Sequence, residues 1–444
     1  MKGISAAGVI LFCLTIAGVV LPQEFYPAPG NGVVTGGLGY ALIDDTSFVS
    51  ITFRPEIAIG KIGIGLNLEL LYNLETGEIR TEDWNETYDY FRILRYIRYG
   101  HKRDPIYARV GAFDRARIGH GLLMNYYTNE TANYDKRKIG LAFDLDRGTW
   151  GFESMTSNLG RLEIVGGRFY TRPLRYVTDI PIIKNLTFGA SYIADIDPDE
   201  NRNTDDVVST WGLDSELPLL NIPIFYTGLF YDVGHINNYG SGQAFGIEAQ
   251  LEAIANLFHL YAKFERRLLG KEFVPTFFGP YYEIERYRPK GYEIPYPAGT
   301  IQDSTVTHKA ELLAVHPKYQ NETKGWYGEL GGHVLGAIQI IGTYQWLDDV
   351  KHSGLLHAQA DIPDTVPKIV LRATYDKDGI ETIKDLSLIG SVAKIGIGYK
   401  LNPWLLVNMD YIYTWYQADD GSIKTQKRIQ PGISFVYHFP VGGK

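Results

Sequence analysis

The chain has 444 residues, with 43 Lys and Arg set against 51 Asp and Glu for a formal net charge of −8. No strong general affinity for polyanions, nucleic acid included, follows from that balance. Tyr (32) and Gly (48) are abundant, and the mean hydropathy of −0.14 reads as soluble unless the apolar residues are spread one in two along strands, as they are here.

Met1-Lys2 followed by the apolar run Gly8–Leu21 has the charge and length of a secretory signal, assigned to residues 1–23 with cleavage between Gly18 and Gln23. The single cysteine, Cys13, lies inside it, so the mature chain is expected to hold no disulfide and no Cys-based metal site. Beyond the signal no uninterrupted apolar run reaches about 18 residues, which excludes a helical membrane protein. Residues 24–32 form a Pro- and Gly-rich lead, and residues 33–444 read as one domain of strands.

The clearest strand starts at Ile62. Ile62, Ile64, Leu66, Leu68, Leu70 and Tyr72 alternate with Gly63, Gly65, Asn67, Glu69 and Leu71. Successive side chains on a strand face opposite sides, so one face is oily and the other small or polar. Its length matches the roughly 9–11 residues a membrane-crossing strand needs. The same format recurs to Ile433, Phe435, Tyr437 and Phe439 near the C-terminus. In Phe91–Tyr99, Arg92, Leu94, Tyr96 and Arg98 share one face, while Arg95 falls on the apolar face as a misfit. Gly166-Gly167 is read as a bulge that resets the facing of Arg168, Tyr170 and Arg172.

Nine short connections (Gly60-Lys61, Gly100–Pro105, Arg147-Gly148, Asn185, Pro218–Pro223, Ala255–Leu257, Leu335–Ala337, Pro363–Pro367 and Asn402-Pro403) alternate with long polar ones. The long ones include Leu74–Thr87, Asp114–Lys136, Asp195–Asp206 and Leu268–Thr305. Short turns at one rim and long loops at the other are the asymmetry of a transmembrane barrel. The expectation is all-β: one large antiparallel up-and-down barrel of 18–20 strands, with short periplasmic turns and long extracellular loops. A soluble sandwich or propeller shows the alternation without the strand lengths or the two-sided loops.

The face opposite the oily one carries both signs of charge. Candidate pore-lining residues are Arg92, Arg98, Arg109, Glu153, Arg168, Arg172, Glu248, Glu252, Lys263 and Arg372. A dry interior could not hold so many ions cheaply, but a wet lumen can. One reading is a basic wall that favours anions; the other is an Arg ladder neutralised by facing carboxylates. The 268–305 loop, rich in Tyr, Pro and Arg, is a candidate constriction through Tyr281, Tyr282, Arg286, Arg288 and Tyr292, or else a lid or surface decoration. Asp195, Asp197 and Asp199 have calcium-loop spacing, but Glu200 stands where such a loop needs Gly, so they read as an acidic outer loop. No Gly-x-Ser-x-Gly, His-Glu-x-x-His or phosphate loop occurs, and His120 stands alone. No catalytic residue, metal ligand or cofactor is assigned, and the chain is not read as an enzyme.

The signal, the alternation, the aromatic-rich strand ends and the last strand Gly432–Phe439 resemble those of a Gram-negative outer-membrane β-barrel of the porin type. The resemblance implies an outer-membrane channel for passive diffusion of small hydrophilic solutes. It also implies contact with outer-membrane lipid and lipopolysaccharide, delivery by the barrel-insertion machinery, and room for a homo-oligomer. The alternative is a non-conducting barrel whose loops serve adhesion, partner binding or secretion, with a barrel-embedded hydrolase behind it.

Overall fold

The computed structural model describes residues 26–441 apart from 44–45, 86, 103, 114, 131–137, 200–202, 205, 254–257, 287–291, 297–298, 304–307, 336, 389–390 and 418–422. Twenty antiparallel strands form its wall. They begin with β1 (Asn31–Ile43), β2 (Thr46–Ile59), β3 (Ile62–Leu66 continued by Leu68–Asn73), β4 (Leu94–Tyr99) and β5 (Ile106–Gly111). Next come β6 (Gly140–Asp146), β7 (Trp150–Thr156), β8 (Ile164–Thr171), β9 (Thr187–Asp195) and β10 (Val208–Ile222). The second half holds β11 (Phe225–Ile236), β12 (Ser241–Ala253), β13 (Phe258–Leu269), β14 (Thr323–Val334) and β15 (Ile338–Leu347). It closes with β16 (Gly354–Ile362), β17 (Ile369–Ile380), β18 (Ser391–Asn402), β19 (Leu405–Gln417) and β20 (Ile423–Pro440). Each strand pairs with the next, and β20 returns to β1 with Gly32 opposite Phe439 and Ile43 opposite Arg428. No edge remains, which is what hydrocarbon demands of a sheet.

The two-residue rhythm sets the faces. Leu38, Ile51, Phe53, Ile62, Ile64, Phe245, Ile247, Ile397 and Ile433 point outward and are exposed, Leu38 at 63%. Soluble proteins rarely leave so large an apolar surface uncovered. The alternate positions, among them Glu69, Arg98, Arg109, Arg168, Glu248, Lys263 and Glu329, are buried on the inside. Aromatics stack along the outer wall of β13–β15, with Phe264 against Trp326 at 4.9 Å and Trp346 beyond it at 6.4 Å.

Three local expectations need correction. The 172–186 connection, expected as a tight turn at Asn185, is longer and carries the one-turn helix Pro181–Lys184. Gly166-Gly167 makes no bulge: β8 pairs one for one with both neighbours, and starting at Ile164 brings Arg168 and Tyr170 inside without a reset. The bulge lies instead at Arg95. β4 pairs with β3 as far as Gly65 opposite Tyr96, then skips to Leu66 opposite Leu94. Arg95 is the extra residue, and the bulge turns its side chain inward to an ion pair with Glu56. Gly111 permits this: its φ is +132°, and a Cβ there would lie 2.2 Å from the Arg95 carbonyl oxygen.

Candidate functional site

Two long connections turn into the barrel and meet. The first, between β5 and β6, carries the inner hairpin Ala116–Ile118 and Met124–Tyr127. Arg117 Nη2 lies 2.6 Å from Glu329 on β14, and the Tyr126 hydroxyl donates to the same carboxylate at 2.6 Å. The Tyr126 ring packs 4.4 Å from His357 on β16, and Lys394 of β18 donates to the Glu130 carbonyl at 3.4 Å. In a closed ring of twenty strands, β16 stands opposite β6, so this segment crosses the lumen.

The second connection, between β13 and β14, runs alongside it. The Thr276 and Phe278 amides donate to the Leu122 and Leu123 carbonyls at 2.6 and 3.0 Å, and the Asn125 amide donates back to Phe278 at 3.2 Å. Leu122, Leu123, Met124, Tyr127, Phe273, Phe277, Phe278 and Tyr282 form an apolar core against inward residues of the wall, Ile164, Ile193, Ile236 and Leu269 among them. The result is a septum with a packed, dry centre.

Ion clusters pin it. Arg286, 1% exposed, donates two bonds to Asp195 at 2.9 and 2.7 Å, one to Glu163 at 2.7 Å and one to the Asp197 carbonyl at 2.8 Å. Tyr282 donates to Asp195 at 2.9 Å, and Lys138 bridges Glu163 and Glu283. Burial alone would raise the Glu163 carboxyl; Lys138 and then Arg286 outweigh it and hold it at about 2. Asp195, expected in an outer acidic loop, is thus an anchor of the septum.

Further along the wall, His120 Nδ1 sits 2.7 Å from Asp232 and its Nε2 3.6 Å from Glu216. Burial opposes the charge on His120, but Asp232 and Glu216 raise its pKa well above the ordinary value. His120, Asp214 and Asp232 offer ligand atoms within 4.8 Å of one another, a spacing a metal could use. Both Asp214 oxygens, however, accept from Arg168 at 2.8 and 2.6 Å. On Asp214 the Arg168 guanidinium takes the place a metal cation would need.

The candidate pore-lining residues fall into four settings, the last of them a side cavity that holds Arg92 and Arg372. Arg168 (on Asp214 and Glu153), Lys263 (on Glu265 at 2.8 Å and the His120 carbonyl) and Glu153 lie beneath the septum, already neutralised. Glu248, opposite Lys263 in register, accepts from Tyr261 at 3.4 Å, and Gln250 donates to Glu252 at 3.3 Å further toward the end of β12. Arg98, Arg109 and Arg172 gather near the short-turn rim. Arg109 donates to the Tyr26 hydroxyl at 2.6 Å, Arg98 lies 4.2 Å over the Tyr26 ring, and Arg172 pairs with Asp146 at 3.1 Å.

Arg92 sits in the turn before β4, paired with Asp89 at 2.7 Å, because β4 begins only at Leu94. It lines a cavity of about 160 Å³ with Arg54, Asn67, Leu94, Arg95, Glu130, Lys138 and Arg372. Of the candidate constriction, Tyr281, Tyr282 and Arg286 are buried in the septum. Tyr292 opens a two-stranded hairpin, Tyr292–Tyr296 with Gly299–Asp303, and Arg288 lies outside the described residues, as does the signal segment 1–23. Sequence reasoning passed over Arg54, Tyr126 and Glu329, and it read His120 as isolated.

A closed sheet with an oily coat and a charged interior is a transmembrane β-barrel of the outer-membrane type. No protein-family model matches the sequence, and no curated protein matches it. Among solved structures it is similar to the outer-membrane protein OpdK of Pseudomonas aeruginosa, at 10% identity and a TM-score of 0.31, over 92% of this chain and 99% of that one. OccK8 (OprE) of the same organism gives 11% identity and 0.32, over 94% and 100%. CdiB from Acinetobacter baumannii gives 6% and 0.27, over 91% of this chain and 60% of that one. Scores this low carry no argument about function; the closed barrel stands on its own strand pairing.

Proposed function

We propose that the protein is a channel of a Gram-negative outer membrane that passes small hydrophilic solutes passively through a charged lumen. The observation that carries this reading is the cavity beside the septum, lined by Arg54, Arg92, Arg95 and Arg372 together with Glu130. The septum core is too apolar to solvate an ion, so transit follows the wall of β17–β20 and β1–β5, where charge filters the solute. Lipid and lipopolysaccharide cover the outer face, and the insertion machinery reads the last strand. Purified protein reconstituted in planar bilayers is expected to give discrete conductance steps.

A second reading has its own support. The dry core of Leu123, Met124, Phe277 and Phe278 suits an occluded barrel whose outer loops meet a partner. Repeated insertion of folded barrel without current would decide for it.

A further inference from the structure

The cations around the side cavity are not equally committed. Arg92 is held by Asp89, Arg95 by Glu56, and Lys138 by Glu163 and Glu283. Arg54 differs. Its Nε donates to Asn67 at 2.8 Å, and among the described residues no carboxylate lies within ion-pair distance of it. Arg372 is nearly as open: its nearest acid, Asp361, is 3.7 Å away and its side chain is 62% exposed. These two forks stand on β2 and β17, both lining the same space. Two acids oppose them, Glu130 in the lining and Asp410 within electrostatic reach of both arginines. Lys394, beside the Glu130 carbonyl, adds a third cation.

A guanidinium presents parallel N–H donors that match two oxygens of a carboxylate or phosphate. The volume, about 160 Å³, accommodates a molecule about the size of benzene. Leu94, Ala112 and Ile139 supply a short apolar edge beside the charges.

From this we infer that the cavity is a binding site for one small oxyanion, carboxylate- or phosphate-headed, gripped between Arg54 and Arg372. As a transit site it rests on the channel reading; as a binding site it does not. The asymmetry also explains Asn67, which by accepting from Nε fixes the Arg54 fork and leaves the terminal N–H groups for the guest.

Calorimetry on the full chain in detergent, titrated separately with inorganic phosphate and with butyrate at low salt, tests it. At least one probe is expected to bind saturably at one site. Arg54→Gln with Arg372→Gln is expected to weaken it by roughly tenfold or more, and Lys61→Gln, on an exposed turn, to leave it unchanged. Stronger butyrate binding assigns a carboxylate with an apolar tail; stronger phosphate binding assigns a phosphate. Far-ultraviolet dichroism confirms that each variant remains a barrel. Absence of binding by both probes, or equal binding by the double variant, overturns the site. Conductance without binding overturns the site alone; binding without conductance supports it and removes the channel reading instead.

Discussion

Arg286→Met tests the septum most directly. The substitution keeps an unbranched, flexible stem and removes the guanidinium with its charge and donors. It leaves Asp195, 0% exposed, with only the Tyr282 hydroxyl and the Asp197 amide, while Glu163 keeps Lys138. Removing one member of a buried ion pair costs about 3–5 kcal/mol. Because those partners remain, the lower end applies, and about 3 kcal/mol corresponds to a roughly 150-fold shift in local opening. The reporters are the Thr276, Phe278 and Asn125 amides that join the two inward segments. Hydrogen exchange at these positions is expected to accelerate by about two decades, while amides of β1 and β20 keep wild-type protection. Adding Asp195→Leu is expected to recover part of the loss, since an apolar replacement removes the stranded charge. Wild-type exchange at all three amides in the single variant would refute the claim that this network holds the septum.

Further outcomes follow from the same geometry. Leu38→Arg places a charge on the outer wall between Ile51 and Ile433; it should cost about 2–4 kcal/mol in urea titrations of folding into vesicles. Gly111→Ala forces a Cβ against the Arg95 carbonyl at a φ of +132°. It should destabilise the barrel by about 1–3 kcal/mol in the same titration and release the Arg95–Glu56 pair. Glu163, held at about 2, contributes stability that is complete above the ordinary carboxylate value and lost as pH falls through about 2. Septal amide protection is therefore expected to persist at pH 4. Asp206 moves the other way: burial and then the neighbouring Asp199 raise it to about 6. Its stabilisation is present below the ordinary value and fades as pH rises through about 6, and Asp206→Asn should erase a carboxyl infrared titration near there.

The wall was legible because lipid and water impose a period of two that residues such as Ile62 to Tyr72 state openly. Gly60 at the β2–β3 turn and Asn402 before the β18–β19 turn also lie where the punctuation put them. The 112–139 segment was not legible in the same way, since its polar flanks hid its purpose. The available signal was Ile118, Leu122, Leu123, Met124, Tyr126 and Tyr127: a surface loop gains nothing from so many apolar residues in ten positions. Arg95 was misread because a bulge breaks the alternation that assigns a face. Which arginine keeps spare donors depends on carboxylates far off in the chain. Glu56 lies 39 residues from Arg95, and Asp195 lies 91 from Arg286, distances at which sequence spacing says nothing.

The septum also bears on the mechanics of a wide tube. A sheet of twenty strands closed only by its own seam is easily flattened, because bending is shared among many soft hinges between neighbours. Here Arg117 and Tyr126 tie the β5–β6 side to Glu329, and Arg286 ties the β13–β14 side to Asp195. These cross-braces make the girth of the cylinder a matter of side-chain chemistry as well as strand number, and lateral pressure from the bilayer is borne partly by buried charges.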